Sequence, residues 1–265
     1  MAAEPCVQAP PRVPVIGVPI TAVDLEGCVR FVEENLDAIR GSYLCLSNAH
    51  TTVMAHDDPA YFEVQAGSLM SLPDGKPLSV IGRRSEPSMG RVTGPDLLRA
   101  LLERSPSHGW SHYFYGSTPE NLGLLAAALG RDYPRVRVVG AEPSVFREIS
   151  DEEVGELAER VDASGADFLW VGIGAPRQEA LCARLEGRTR CLMAGVGGAF
   201  NIWPGWCRRL QAGCSGRGSS GSTALSRSPV GCSSATPSPT RSSSTTRRQG
   251  RKGSLRCGQW KAGPS

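Results

Sequence analysis

Asp74 stands in LPDGKPL (Leu72 to Leu78), between a proline and a glycine. Such a turn can hold a carboxylate at the mouth of a cleft, where it can take a proton from an attacking hydroxyl. The same residues also make an ordinary type I or II turn with a solvated aspartate, and the sequence leaves both readings open. SNAHTT (Ser47 to Thr52) ends an apolar stretch with small polar groups suited to hydrogen-bonding a sugar. Asn48 and His50 can equally satisfy nearby backbone groups. Three further segments share one grammar, a buried strand that runs into glycine and then at once into a helix: FYGSTPENL (Phe114 to Leu122), VGIGAPRQE (Val171 to Glu179) and GVGGAFN (Gly195 to Asn201). Glycine lets the backbone approach a ligand closely, and free amides at a helix N-terminus attract phosphate. Any parallel sheet needs glycine turns, but three such loops on one edge favour a nucleotide-diphosphate or dinucleotide site at the carboxyl ends of the strands. No GxGxxG occurs, which disfavours a dehydrogenase. The four histidines and the carboxylates form no HExxH-like spacing, so no protein-held metal and no cofactor is expected.

The elements that must position these residues can be read from apolar spacing. VPVIGVPI (Val13 to Ile20) reads as a strand or hairpin, and 22–39 carries apolar residues at near-helical intervals. Then follow a strand at 43–48, a helix at 58–66, and a loop running into a short strand over 72–82. A helix at 95–104, a strand at 112–116, a helix at 119–129 and a strand at 136–140 come next. Ser150 with Glu153 three residues later predicts a capping box opening a helix at 150–163. A strand from Asp167, a helix at 176–185 and a strand at 191–197 complete the run. GPDLL (Gly94 to Leu98) reads as a helix start with Pro95 in the first turn. The fold class expected is α/β: a mainly parallel, Rossmann-like sheet with helices on both faces and a disordered basic C-terminal tail.

Composition divides the chain. Of its 265 residues, 206–265 hold 11 Lys and Arg and no acid, with 14 Ser, 9 Gly and only four Leu, Ile or Val. That is too little apolar surface for a core, so disorder is expected there. Residues 1–205 carry 18 Lys and Arg against 26 Asp and Glu, a net charge of −8 that the overall +3 conceals. The expected organisation is a flexible Ala/Pro-rich leader at 1–11, an α/β domain at 12–205 and the tail at 206–265. No apolar run approaches the ~20 residues of a membrane span and no signal segment opens the chain, which predicts a soluble cytoplasmic protein. The nine cysteines have no CxxC pairing and read as reduced thiols, with Cys45 and Cys191 in strand-like runs.

Taken together and in order, SNAHTT, LPDGKPL, RVTGPDLL, YFYGSTPENL, WVGIGAPRQE and GVGGAFN resemble the WecG/TagA/CpsF glycosyltransferase family over about 13–205. The resemblance implies an inverting transferase that uses a UDP-N-acetylhexosamine, commonly UDP-N-acetylmannosamine, and a polyprenyl-diphosphate-linked N-acetylglucosamine. It implies no bound metal in the transfer step. By position, Asp74 is the implied base, with Asn48 beside the sugar. Gly116, Gly174, Gln178 and Glu179 would line the nucleotide-diphosphate pocket. His50, Thr51, Gly75, Lys76, Gly94, Asp96, Gly172 and Gly197 are the other implied substrate-binding positions. The implied setting is cytoplasmic, with peripheral association at the inner face of the cell membrane, and a homo-oligomer is left open.

After GVGGAFN the sequence leaves the family pattern. Members continue with an Arg-Ala-Pro and Trp segment, a Leu-Glu-Trp-Leu-Tyr-Arg-Leu stretch and further arginines, an amphipathic appendage that closes over the diphosphate and rests on anionic lipid. The tail here has the composition of a GC-rich gene read out of frame. Codons permitted for Arg217 to Thr223, read from the third base, give Trp-Leu-Glu-Trp-Leu-Tyr. A break near Gly205 is therefore expected. Two other classes compete: a non-catalytic nucleotide-sugar binder or inactive remnant, and a basic nucleic-acid-binding protein. The last rests on the tail alone, whose arginines lack interleaved aromatics, and no nucleic-acid partner is expected.

Overall fold

The computed structural model of the chain describes residues 7–145 and 147–200. It opens with a hairpin of β1 (Arg12–Val15) and β2 (Val18–Thr21), whose turn residues Ile16 and Gly17 both have positive φ, as a two-residue hairpin turn prefers. Asp24 caps α1 (Leu25–Asn35) by accepting from the Gly27 amide at 2.8 Å. The chain then alternates: β3 (Tyr43–Ser47), α2 (Ala49–Asp57), α3 (Pro59–Gly67), β4 (Met70–Pro73), α4 (Lys76–Gly82), α5 (Gly94–His108), β5 (Ser111–Gly116), α6 (Pro119–Asp132), β6 (Arg137–Glu142), α7 (Asp151–Ser164), β7 (Phe168–Gly172), α8 (Arg177–Leu185) and β8 (Leu192–Gly195). The expected capping box is present at α7, where Ser150 Oγ accepts from the Glu153 amide and Glu153 accepts from the Ser150 amide.

Strands β3 to β8 form one sheet in the order β4-β3-β8-β7-β5-β6, every neighbouring pair parallel. Successive strand residues point to opposite faces, and the two cores follow this alternation. Leu44, Leu46, Phe114, Phe168, Trp170, Leu192 and Ala194 meet α1, α5 and α6 on one face. Tyr43, Cys45, Tyr113, Tyr115, Leu169, Val171 and Met193 meet α7 and α8 on the other. A third cluster joins the hairpin to α2, α3 and α4 through Val13, Val15, Val18, Ile20, Ala55, Tyr61 and Leu78. The α/β class and the two covered faces expected from the sequence are what the structure shows. Cys28, Cys45, Cys182 and Cys191 are buried free thiols.

Two local expectations are corrected. LSVIG within 72–82 is not a strand; it belongs to α4, because Pro77 preorganises a first helical turn after Gly75 at the N-cap. The strand lies earlier, at Met70–Pro73. SNAHTT does not only end a strand, since Asn48 caps a helix, α2, that begins at once. The leader lies partly, and the tail at 206–265 with the frame break expected near its start wholly, outside the described residues.

His112 is a fully buried polar group in the sheet core. Its Nδ1 accepts from Trp170 Nε1 at 3.0 Å, so in the neutral ring Nε2 carries the proton and faces Ser105 Oγ at 2.7 Å. The Ser105 hydroxyl donates its own hydrogen bond to the Leu101 carbonyl at 2.6 Å. Burial lowers the imidazole pKa to about 3 against the opposing charge of Asp167. This is a satisfied core histidine, far from any role as a ligand.

Candidate active site

The carboxyl ends of β3, β4, β5, β7 and β8 bring the glycine-bearing segments to one edge. In open parallel sheets ligands bind at this edge, where connections depart to opposite sides. β3 leads to the edge strand β4, whereas β8, paired to it on the other side, closes the run β5-β6-β7-β8, so the crevice falls between them. Asp74 and Gly75 stand there because both of their amides donate to the Ser47 carbonyl, at 2.8 and 3.4 Å. An added Cβ on Gly75 would lie 3.3 Å from Asn48 Cα, so the β3 and β4 ends are in contact. On the far side Gly94 abuts β8, with the Val196 carbonyl oxygen 3.1 Å from where a Cβ would be.

Asp74 is half-buried, and its carboxylate makes no side-chain hydrogen bond among the described residues. Burial raises its pKa, Asp96 adds to the rise, and the Arg91 charge opposes both. Arg91 is fixed by donating Nε to the Asp74 carbonyl at 2.7 Å. Asp96 is turned toward the start of α5, where Thr93 Oγ1 donates to its Oδ2 at 2.6 Å and accepts from its amide at 3.2 Å.

Asn48 and Thr51 spend most of their polar capacity locally. Asn48 Oδ1 accepts from the His50 and Thr51 amides at 3.0 and 3.1 Å, while Thr51 Oγ1 accepts from the Asn48 amide at 2.9 Å. His50 and Lys76 are exposed at this edge. Below Asn48, Ser47 Oγ and Ser71 Oγ both lie within hydrogen-bond range of Gln65 Oε1, at 2.6 and 2.8 Å, and Gln65 Nε2 donates to the Tyr61 hydroxyl at 3.0 Å.

The glycine loops are close-packed. Gly116 pairs with Gly172 across β5 and β7, has φ of +134°, and an added Cβ would stand 2.5 Å from the Gly172 carbonyl oxygen. Only glycine fits there. Ser117, the next residue, holds φ of +59° and donates its amide to the Gly172 carbonyl at 3.1 Å. Gln178 clips two loops together: Oε1 accepts from the Gly174 amide at 3.1 Å, and Nε2 donates to the Gly195 carbonyl at 3.1 Å and to Glu179 Oε1 at 2.8 Å. Gly197 has φ of +54°.

Gln178 and Glu179 are 4 % and 1 % exposed, so neither presents its side chain freely to solvent. Glu179 Oε2 is buried with no hydrogen-bond partner, and burial lifts the carboxyl pKa to about 7 against the Gln178 bond and the Tyr61 hydroxyl. Of the residues read from the sequence, the structure thus gathers Asn48, Asp74, Gly75, Gly94 and Asp96 at the crevice. Gly116, Gly172, Gly174 and Gly197 form the loops beside it, and Gln178 and Glu179 lie beneath them. Sequence reasoning passed over Arg91 and Thr93, which lie inside RVTGPDLL, and the Ser47–Gln65–Ser71 cluster, whose members are brought together only by the fold. Among the described residues no cluster of His, Cys, Asp and Glu is arranged to hold a metal.

A doubly wound α/β core with a half-buried carboxylate and glycine loops at the carboxyl edge of its sheet belongs to the class of open parallel folds in which ligands bind at that edge. Its sequence places it more narrowly. Residues 13–212 match the glycosyl transferase WecG/TagA/CpsF family, and the chain belongs to that family. It is 24 % identical over 179 residues to an N-acetylglucosaminyldiphosphoundecaprenol N-acetyl-beta-D-mannosaminyltransferase of Bacillus spizizenii, an alignment covering 67 % of this chain and 68 % of that relative. The protein is a glycosyltransferase of this family.

Proposed function

We propose that the chain moves an N-acetylhexosamine, N-acetylmannosamine in the first instance, from UDP to an N-acetylglucosamine carried on a polyprenyl diphosphate. The carrying observation is Asp74: a half-buried carboxylate at the crevice, its backbone fixed by the Asp74 and Gly75 amides that donate to the Ser47 carbonyl, and uncommitted to any side-chain hydrogen bond among the described residues. Asp74 takes the proton of the acceptor hydroxyl as that oxygen attacks the anomeric carbon. The bond from that carbon to the UDP oxygen breaks on the opposite face and UDP leaves with the electron pair, so the configuration inverts. The N-termini of α5 and α6, beginning at Gly94 and Pro119, supply amides at the edge where the departing diphosphate gains charge. Arg91 adds a cation beside Asp74.

The named substrates of the Bacillus relative support this choice of donor and acceptor. Among the described residues no helix is long and apolar enough to cross a membrane. The lipid-linked acceptor of this reading supports work at the inner face of the cell membrane, with the protein on the cytoplasmic side. A non-catalytic nucleotide-sugar binder is the second reading, favoured by the departure of 206–265 from the family pattern. Transfer from UDP-N-acetylmannosamine to a short-chain lipid diphosphate N-acetylglucosamine separates them. Product with inverted anomeric configuration is expected; stabilisation by UDP without turnover under any donor would favour the binder.

A further inference from the structure

Gln65, in the last turn of α3, is fully buried, as are Ser47 at the end of β3 and Ser71 in β4. In the parallel pairing of these strands Cys45 stands opposite Ser71 and Ser47 opposite Pro73, so the two serines share the side toward α3. Both hydroxyls lie within reach of Gln65 Oε1, at 2.6 and 2.8 Å, and of each other at 2.7 Å. The other end of the amide donates to the Tyr61 hydroxyl at 3.0 Å, one turn earlier on the same helix. Tyr61 stands close enough to the Glu179 carboxyl to oppose the pKa rise that burial causes there.

The helix under Gln65 is firmly held. The Tyr43 hydroxyl donates to the Val64 carbonyl at 2.7 Å, and Arg12 Nη1 donates to the Ala66 carbonyl at 2.8 Å. These bonds satisfy carbonyls that the end of a helix leaves open, and Arg12 sets a cation at its negative pole. Folding alone does not call for the polar cluster, since apolar groups of the same shape would fill the space at little or no cost. Its place in the chain gives it a use. Ser47 is the residue at which the ladder between β3 and β4 ends, and its carbonyl receives the Asp74 amide at 2.8 Å and the Gly75 amide at 3.4 Å. The hydroxymethyl group and the carbonyl branch from one Cα, so holding the first sets the direction of the second.

We infer that Gln65 is a positioning residue: by fixing Ser47 it fixes the loop that carries Asp74, and with it the aim of the carboxylate at the acceptor hydroxyl. This rests on Asp74 as the base proposed above. Through Tyr61 the same amide reaches the acid beneath the glycine loops, so the base loop and those loops share one buried support.

The first test needs no turnover. Hydrogen exchange on the full chain reads the Asp74 and Gly75 amides. Gln65→Met keeps the length of the side chain and removes both polar ends; exchange at these amides should quicken about tenfold or more, while β7 exchanges as in wild type. Ser47→Ala removes the hydroxyl alone, should act in the same direction, and serves if the first variant fails to fold. Unchanged exchange in the folded variants overturns the inference.

The second test asks whether the effect passes through Asp74. Gln65→Met should lower kcat about tenfold to a hundredfold and leave KM for the UDP-sugar within about twofold. In an Asp74→Asn background the same change should cost no more than about threefold further, because a positioning group loses its effect with the group it positions. A full further loss there shows a general structural role and overturns the inference. Failure of the transfer reading looks different: exchange responds to Gln65→Met, yet wild type forms no product with any donor and lipid-linked acceptor.

Discussion

Gln178 and Glu179 are adjacent in sequence and joined side chain to side chain, Nε2 to Oε1 at 2.8 Å, so the acid fixes which way the amide faces. With Nε2 toward Glu179 and the Gly195 carbonyl, Oε1 must face the Gly174 amide. One buried carboxyl therefore sets the separation of the loops after β7 and β8. Glu179→Gln keeps the shape but puts an NH2 donor where a carboxyl oxygen was, free to compete with Gln178 for its acceptors, and should lower kcat/KM by roughly tenfold to a hundredfold, a typical cost for a misoriented positioning group. Steady-state kinetics checks this, and an unchanged kcat/KM would remove Glu179 from the positioning role.

The same residue makes stability depend on pH with a stated sign. An ordinary glutamate titrates near 4.5, and burial raises Glu179 to about 7. Its contribution is full below the lower value and is lost as pH rises through the upper one, at about 1.4 kcal/mol per pH unit at most. His112 runs the other way: its pKa falls to about 3, so stability declines as pH drops below about 6.5. The two slopes oppose each other between about 4.5 and 6.5. Removing the Glu179 titration in Glu179→Gln should let the His112 slope gain on the remaining opposing carboxylates, Asp74 and Glu186, so stability should rise more steeply with pH there than in wild type. Urea denaturation at several pH values measures it, and a variant profile no steeper than wild type would show that Glu179 does not titrate as its burial requires.

Much of the fold could be read from apolar spacing, because strands such as Phe168–Gly172 are buried on both faces and α7 carries its own cap at Ser150. Reading failed where local chemistry outweighed pattern. Val80 and Ile81 look like strand residues, yet Gly75 and Pro77 start a helix that leaves both exposed. The site was legible as motifs but not as depths. WVGIGAPRQE names Gln178 and Glu179, but nothing in it shows that Tyr61, more than a hundred residues away, and the Gly195 carbonyl enclose them. Arg91 was equally hidden, since its partner is a backbone carbonyl and not a complementary charge in the motif.

Asp74→Asn should reduce transfer by roughly 10² to 10⁴, the usual worth of a positioned base, while UDP-sugar binding stays within about twofold, since the carboxylate bonds to no neighbouring side chain among the described residues that the amide could disturb. In the wild type, burial and Asp96 raise the Asp74 pKa, so the acid limb of kcat should lie above the ordinary aspartate range. Arg91→Ala removes the opposing charge and should move that limb higher still. A limb that does not respond to Arg91 would assign the titration to another group.

Two glycines give a stability contrast of opposite sign. Gly116→Ala forces a methyl group toward the Gly172 carbonyl oxygen at a positive φ, and should cost several kcal/mol, about what strained backbone and overpacking together take. Gly123, within α6, has open space where a Cβ would go, and Gly123→Ala should stabilise by about 0.4–1 kcal/mol. Thermal melts of both against wild type decide this, and a tolerated Gly116→Ala would mean that β5 and β7 separate more easily than their pairing implies.

The tail yields a prediction that needs the gene. A family glycosyltransferase matched from 13 to 212 should carry a closing segment after GVGGAFN, and 206–265 holds instead 14 Ser, 9 Gly and no acid. If the frame breaks near Gly205, the coding DNA should encode Trp-Leu-Glu-Trp-Leu-Tyr or a close variant in an alternate frame across Arg217 to Thr223. Departure of UDP without a metal needs cations or amides around the diphosphate, and the helix N-termini at Gly94 and Pro119 supply only part of that. A chain with its frame restored should therefore transfer sugar at least about tenfold faster than this one, with UDP affinity rising in step. Sequencing comes first, then both chains assayed side by side. A gene with no such alternate frame would end the frame-break account, and equal rates would show that the core to Phe200 holds all the diphosphate stabilisation the reaction uses.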